Sequence, residues 1–403
     1  MIQRICVCGL GKLGSPMAAA FAQAGVSVTG YDLDQKKVEC IQWGRAPVSE
    51  AGLTQAIQKA GRRLIATTDA VQAAAGTQAC IFVAPTPSLP DGSFDNQYLL
   101  AGIEKIGSAV AQWPEENQKS YYFVIASTVT PGSCEHLLLP AIRKYSEFIR
   151  LVYKPELIAL GSVLGDLAHP DVALFGVEDK SDAEAIVTLY SKMQATGNVH
   201  IMTFVEAELA KISLNCAITM KISFANQVGM VATRLGANPH TVLRMVGADS
   251  RIGSKAMRYG MPFGGPCFPR DNRMFQCVAK RVHVFAHMAT ATDLINQEVL
   301  ADILRQVPKA GDIGILGLSY KSGTSLTEES PGLALKLILE SKGRTVKAHD
   351  PMVSPYNLQD VLACSAVIVA NDCVEYREVE FGPETMVIDP MGITKKSSKK
   401  VMV

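Results

Sequence analysis

Three glycines at fixed spacing near the N-terminus constrain this chain more than any other feature. Gly9-Leu10-Gly11-Lys12-Leu13-Gly14 stands between an apolar run, Ile5–Cys8, and a small-residue stretch that begins near Ser15. In a strand, turn and helix each glycine has its own task. The first permits the tight turn, the second lets backbone approach a pyrophosphate, and the third lets helix and strand pack closely. The helix N-terminus adds partial positive charge at the same place. Asp32 closes the next apolar run, Val26 to Asp32, eighteen residues past Gly14. A carboxylate there hydrogen-bonds a ribose diol and repels a 2′-phosphate, so NAD is the expected cofactor.

The alternation that begins here continues. Pro16 to Ala24 and Asp34 to Gly44 read as helices, and Ala79 to Pro85 and Tyr122 to Ser127 as buried strands. Strands alternating with helices predict a parallel, doubly wound sheet. The texture changes near Thr203. From Glu206 to Leu235 only Gly229 interrupts a helical pattern, and thirty residues would span ~45 Å, enough to bridge domains or form a dimer core. A Gly/Pro-rich segment, Arg258 to Pro269, precedes more helix to about Val307. Alternation then restarts, with strands at Asp312–Leu318, Thr345–Asp350, Ala366–Ala370 and Met386–Asp389 and a helix at Pro331–Glu340. At roughly 150 residues per domain, 403 residues suit this division into two or three domains.

Charge excludes some functions. Lys and Arg number 39 against 38 Asp and Glu, so there is no basic excess for nucleic acid or an anionic membrane. The longest apolar run, Val361 to Ala370, falls short of the ~18 residues of a spanning helix. The first residues lead directly into a strand with no secretory pattern. Ten scattered cysteines fit reduced thiols and a cytoplasmic site. The tail, with Lys395, Lys396, Lys399 and Lys400, reads as a solvated end.

One cysteine differs from the rest. Cys6, Cys80 and Cys364 lie in apolar runs, whereas Cys267 lies in Phe263-Gly264-Gly265-Pro266-Cys267-Phe268-Pro269-Arg270-Asp271. A loop thiol near a cation can be a thiolate nucleophile, and it can equally be a plain loop thiol. His283 and His287 are four apart, but no acid and no third ligand make a metal site with them. Cys6-Val7-Cys8 is a strand alternation without the partner pair of a metal knuckle, and Met220, Met230, Met245 and Met257 read as helix core.

Ordered motifs across essentially the whole chain give these features a context. They are the Gly9 loop, Val83-Ala84-Pro85-Thr86-Pro87, Ser127-Thr128-Val129-Thr130-Pro131-Gly132, Lys154-Pro155-Glu156, Ala207 to Asn215 continuing to Lys221-Ile222-Ser223-Phe224, Ser250-Arg251-Ile252-Gly253, the Cys267 loop, and Leu316-Gly317-Leu318-Ser319-Tyr320-Lys321. In this the chain resembles the nucleotide-sugar 6-dehydrogenases, the UDP-glucose/GDP-mannose dehydrogenase family. The resemblance implies an α/β fold with two Rossmann-like doubly wound domains and a central helical dimerisation domain with one long bridging helix. The expected divisions are 1–200 for NAD, 201–300 for the helical middle with the cysteine loop, and 301–403 for the UDP half of the substrate.

The resemblance also implies the chemistry: four-electron oxidation of a sugar C6 alcohol to the acid with two NAD. UDP-glucose is the default substrate, ahead of GDP-mannose and UDP-N-acetylhexosamines. By similarity Cys267 is the nucleophile, Lys211 and Asn215 hold a water and stabilise oxyanions, and Asp271 with water takes the alcohol proton. Glu156 activates water for thioester hydrolysis, and Thr128 lies near the reacting centre. Glu156 read without that context would be a loop-end residue capping the following helix. Cofactor contacts are expected at Gly9, Leu10, Gly11, Lys12, Leu13, Gly14, Asp32, Lys37, Pro85, Thr86, Ser127 and Thr128. Substrate contacts are expected at Glu156, Lys211, Asn215, Tyr259, Phe263, Gly264 and Lys321, with Arg251 supplied across a homodimer. Four positions depart from the family pattern: Leu160 and Gln227 where Glu is frequent, Arg270 for Lys, and Glu328 for Arg. A two-electron hydroxyacid-type dehydrogenase would need neither Cys267 nor residues 312–390, and a non-catalytic NAD sensor would have no use for Lys211, Asn215, Cys267 and Asp271.

Overall fold

The computed structural model of the protein describes residues 1–114, 120–158, 161–194, 197–354 and 356–395. Position 160, one of the departures, and Lys396, Lys399 and Lys400 of the tail lie outside them. The chain divides into two compact units, Met1–Lys211 and Ile212–Val403.

The first unit is built on strands β1 (Arg4–Cys8), β2 (Ser27–Tyr31), β3 (Leu64–Thr67), β4 (Ala79–Phe82), β5 (Tyr121–Ile125), β6 (Ile149–Tyr153), β7 (Val172–Val177) and β8 (Asn198–Met202). They form one sheet in the order β3-β2-β1-β4-β5-β6-β7-β8. Pairing is parallel throughout except between β6 and β7. The central strands are apolar on both faces because helices cover both. Ile5, Val7, Ile81 and Val124 face one core with Phe21 and Tyr190. Cys6, Cys8, Cys80, Phe82 and Phe123 face the other with Leu99 and Ile103. Cys6-Val7-Cys8 is therefore alternation across a sheet. The sequence pattern had not distinguished β3, β6, β7 and β8. β3 is a four-residue edge strand whose Ile65 is exposed, and β8 is half-exposed along most of its length, so neither carries the continuous apolar run of a central strand.

A helix of 31 residues, Phe204–Arg234, crosses from the first unit into the second. Polar residues Glu208, Lys211, Asn215, Thr219, Ser223 and Asn226 are all buried along one face of it. Gly229 is required because a Cβ there would stand 2.1 Å from the Tyr259 ring.

The second unit adds helices Pro239–Ala248, Phe268–Arg281 and His287–Gln306. The helix expected up to about Val307 comes as two segments, and His283 sits in the break between them at φ +58°. His283 and His287 consequently share no helix face. Strands β9 (Ile313–Leu316), β10 (Val346–His349), β11 (Ala366–Val369) and β12 (Met386–Ile388) form a parallel sheet in the order β10-β9-β11-β12. Among the described residues no helix is long and apolar enough to cross a membrane, and no group of three or more His, Cys, Asp or Glu could hold a metal ion.

Candidate active site

Strand order reverses between β1 and β4 in the first sheet and between β9 and β11 in the second. Crevices at such points, beyond the C-terminal ends of the strands, are where open α/β sheets bind ligands. Gly9 to Gly14, Asp32, Pro85, Thr86, Ser127 and Thr128 stand at the first, and Phe263, Gly264 and Lys321 at the second.

At the first crevice Gly9 turns the chain at φ +103° and donates its N–H to Tyr31 O at 2.7 Å. A Cβ on Gly9 would meet Val83 O at 2.3 Å, and one on Gly14 would meet Gly9 O at 1.8 Å. Nothing stands within 4 Å of a Cβ built on Gly11, so the loop backbone is open to a ligand there. Leu10 turns its side chain into the core and leaves only backbone at the loop. Lys12 is exposed and Leu13 packs partly against the core. Asp32 accepts from Leu10 N at 2.7 Å and Lys37 Nζ at 3.1 Å through Oδ2, and from Asp34 N at 2.9 Å through Oδ1. A tight turn closed by Gly9 and Gly14 with open backbone at Gly11, beside a half-buried carboxylate, fits an adenosine diphosphate.

The loops after β4 and β5 are laced together at the same crevice. Thr86 Oγ1 donates to Thr128 O at 2.7 Å, and Ser127 Oγ donates to Ala84 O at 2.6 Å. Pro85 between them is exposed. The second loop is tied to the long helix by Glu208, which is fully buried and accepts from Gly132 N at 2.6 Å and Cys134 N at 2.8 Å. Burial pushes this carboxyl above its usual range, against the pull of those hydrogen bonds. Glu208 and Lys211 lie within one turn of each other, and Lys211 is buried. Glu208 had no role in the sequence reading. The signal available was a run of polar residues at helical spacing on a face that otherwise reads as core.

After β6, Glu156 is bound by Lys154, whose Nζ lies 2.6 Å from Oε2. It does not cap the helix Val163–Ala168, where Val163 N donates to Glu50 Oε1 at 2.8 Å instead.

In the second unit Asn215 Nδ2 donates to Asp271 Oδ2 at 2.6 Å. Asp271 is buried in the first turn of the helix Phe268–Arg281, and Cys267 is its exposed N-cap residue. The helix N-terminus places partial positive charge at the sulfur. Burial lowers the proton affinity of the Arg270 guanidinium, while Asp271 and Cys267 raise it. The loop before Cys267 needs both glycines. A Cβ on Gly264 would meet Glu329 O at 2.2 Å, and one on Gly265 the Tyr320 ring at 2.5 Å. Gly265 N donates to Glu328 O at 3.1 Å, which sets the departing residue Glu328 against the cysteine loop. Burial, then the charges of Cys267 and Glu328, push the Tyr320 phenol up to about 12. Two amides absent from the sequence reading hold the loop: Asn226 with Gly260 and Met261, and Asn296 with Phe263. Gln227, next to the first, is exposed.

A cavity of ≈ 510 Å³ opens at the second crevice, lined among others by Arg258, Phe263, Tyr320, Lys321, Asn371 and Asp372. Gly264 and Phe268 also line it, so it adjoins the cysteine loop. Tyr259 does not line it: its ring packs on Gly229 and near His240. Arg251 is exposed and held to Asp249 at 2.7 Å.

Comparison with known proteins agrees with this geometry. Residues 3–194, 205–298 and 314–396 match, in order, the NAD binding, central and UDP binding domains of one enzyme family. The chain belongs to the UDP-glucose/GDP-mannose dehydrogenase family. Family members are NAD-dependent nucleotide-sugar 6-dehydrogenases, and the chain carries the family's NAD-binding domain around Gly9 and Asp32. It is 29% identical over 362 residues to a UDP-glucose 6-dehydrogenase of Haloferax volcanii, covering 86% of this chain and 83% of that protein. A GDP-mannose 6-dehydrogenase of Azotobacter vinelandii is 26% identical over 365 residues, covering 87% and 81%. The structure of a UDP-glucose dehydrogenase from the archaeon Pyrobaculum islandicum superposes with a TM-score of 0.91 at 29% identity, covering 98% of this chain and 95% of that one.

Proposed function

We propose that the protein oxidises the C6 primary alcohol of a nucleotide-sugar, UDP-glucose foremost, to the carboxylate in two steps. The observation that carries this reading is the cavity at the β9–β11 crevice, lined by Gly264 and Phe268 from the loop and helix start that hold the exposed Cys267, with Asp271 bonded to Asn215 in the first turn of the same helix. A nucleotide held by the cavity sets its sugar toward a thiol.

Bound NAD accepts one hydride in each oxidation. Asp271, oriented by Asn215, takes the alcohol proton through water as the aldehyde forms. The Cys267 sulfur then adds to the aldehyde carbon, giving a thiohemiacetal whose C–H can leave as the second hydride. The product is a thioester. Water, deprotonated by Glu156, adds to its carbonyl. The C–S bond breaks, releasing the acid and the thiolate. Lys211 and Asn215, one helical turn apart, stabilise the oxyanions, and Thr128 positions the reacting centre from the cofactor side. Lys321 and Arg258 supply local cations for the diphosphate in a chain of nearly zero net charge.

A homodimer goes with this reading. Leu214, Phe224, Val231 and Leu235 are exposed on or just after the long helix, an apolar stripe that a second copy would cover. Arg251, exposed and held only to Asp249 among the ion pairs described, would then serve the partner's substrate. Ten free cysteines suit a cytoplasmic setting, and the division at residues 200 and 300 remains our proposal for its functional domains.

The test counts NADH per sugar consumed over a panel of UDP- and GDP-sugars. Two is expected, and one would sink the four-electron reading. Cys267→Ala should abolish acid formation, and Cys267→Ser should leave at most a very slow second step. Unchanged turnover in the alanine variant would remove the thiol from the mechanism.

A further inference from the structure

Lys154 is 2% exposed, and an ammonium so deep must be compensated. It is held from two sides. Its Nζ lies 2.6 Å from Glu156 Oε2, and 4.5 Å from the centre of the Tyr190 ring. That ring cannot yield. It meets Phe21 edge-on at 5.1 Å and Phe175 at 5.9 Å, and it is fully buried. The ammonium therefore has one position, and it pins one oxygen of Glu156.

The other oxygen is in a different state. Glu156 Oε1 is buried and, like the Tyr190 hydroxyl beside it, makes no hydrogen bond of ordinary geometry within the protein. A buried carboxylate oxygen without a donor is costly unless a water or ligand supplies one. The two oxygens are thus divided, Oε2 committed to Lys154 and Oε1 left to accept a proton.

We propose that Lys154 is a positioning residue for the second half of the reaction: with the Tyr190 ring it clamps Glu156 by Oε2 so that Oε1 alone receives the proton of the hydrolytic water. The inference rests on the four-electron reading above and deepens it. It explains how one carboxylate can serve hydrolysis where Leu160 stands at the position of a second. Glu156 is faced by the Lys154 ammonium from its own segment and by the Tyr190 phenol from the helix Lys180–Tyr190. Burial, then the charge of Glu156 and the approach of the hydroxyl to its carboxylate, push that phenol well above its usual range, so it stays protonated while the carboxylate works.

The test separates the two half-reactions in the full-length protein with NAD and UDP-glucose, or whichever sugar of the panel it oxidises. Lys154→Met removes the charge and keeps the bulk. Lys154→Gln keeps a donor toward Oε2 without the charge, and is the variant to use if the methionine form does not fold. In either, the first NADH should appear within about twofold of the wild-type rate, the spread expected where no reacting group has changed. Acid formation should slow about tenfold at neutral pH, its acid limb moving up by about one pH unit, because an unpaired buried carboxylate favours its protonated form. Lys154→Arg should return the limb toward its wild-type position. A merely structural role would lower both steps together and leave the limb where it was; that outcome overturns the proposal. A wild-type ratio of one NADH per sugar would instead overturn the four-electron reading, so the two failures are distinguishable.

Discussion

Gly9 and Gly317 turn the chain at the end of a first strand with φ of +103° and +104°. Each donates its N–H to the carbonyl of the residue before an aspartate: Tyr31 before Asp32 at 2.7 Å, His349 before Asp350 at 2.8 Å. In each a later glycine packs on the first one's carbonyl. A Cβ on Gly14 would lie 1.8 Å from Gly9 O, and one on Gly332 would lie 2.0 Å from Gly317 O. The parts match, yet five residues separate the first pair and fifteen the second. The aspartates differ more. Asp32 is half-buried, its Oδ2 shared between one backbone N–H and Lys37. Asp350 is buried, and its Oδ2 takes Leu318 N, Ser319 N, Ser319 Oγ and Asn371 Nδ2. A carboxylate oxygen so fully occupied has no lone pair left for a ribose diol. The second turn spends its acid on bracing the wall of the cavity, and the same backbone device serves a dinucleotide in one unit and a nucleotide-sugar crevice in the other.

The comparison can be broken most forcefully at the packing glycines. Gly14→Ala should weaken NAD binding by ~100-fold or more, about 2.7 kcal/mol, measured by fluorescence titration. Gly332→Ala should destabilise its own unit by about 1–3 kcal/mol, the range for forced overpacking, and leave the NAD constant unchanged. Equal loss of NAD binding in both would mean the two turns do one job.

Asp350→Asn comes next, with an expected loss of about 2 kcal/mol in urea unfolding, since it leaves buried donors poorly matched. Burial pushes the Asp350 carboxyl up, but the N–H and O–H of Ser319 and the N–H groups of Met352 and Leu318 outweigh that and hold it below its usual range. Its folded-state pKa is thus depressed, so its contribution is full above the unfolded value of about 3.9 and lost as pH falls through the folded one. The variant should lack that acid-side decline; a decline equal to the wild type's would assign it to other groups. The smallest effect is expected at Asp32→Asn, about tenfold in NAD affinity or 1.4 kcal/mol, with a relaxed preference against NADP. No change in either would remove the ribose contact from Asp32.

Much of the fold was legible because its signals are local. The Gly9 turn, both runs of strand–helix alternation and the long helix rest on φ requirements and periodicity over a few residues. The signal was weakest at edges: β3 and β8 lack a continuous apolar run, and the break at His283 carries no Gly or Pro. The site was legible as residue types but not as partners. Spacing put Lys211 and Asn215 on one helical face, but only the tertiary structure shows that Asn215 also bonds Asp271, 56 residues away. Glu156 looked like a possible cap, and its partner is Lys154, two residues back but placed by burial beneath Tyr190. Asp350 ended a strand like any other aspartate until Leu318, Ser319 and Asn371 converged on it.

By itself the sequence determined where backbone must turn without a Cβ, which runs are buried, and which cysteine stands in a glycine loop. Those properties belong to single residues and near neighbours. Only the tertiary structure decided which carboxylates are committed and which keep a lone pair. Hydrogen bonds close between groups tens of residues apart, and their worth depends on the water excluded around them, which no local spacing records.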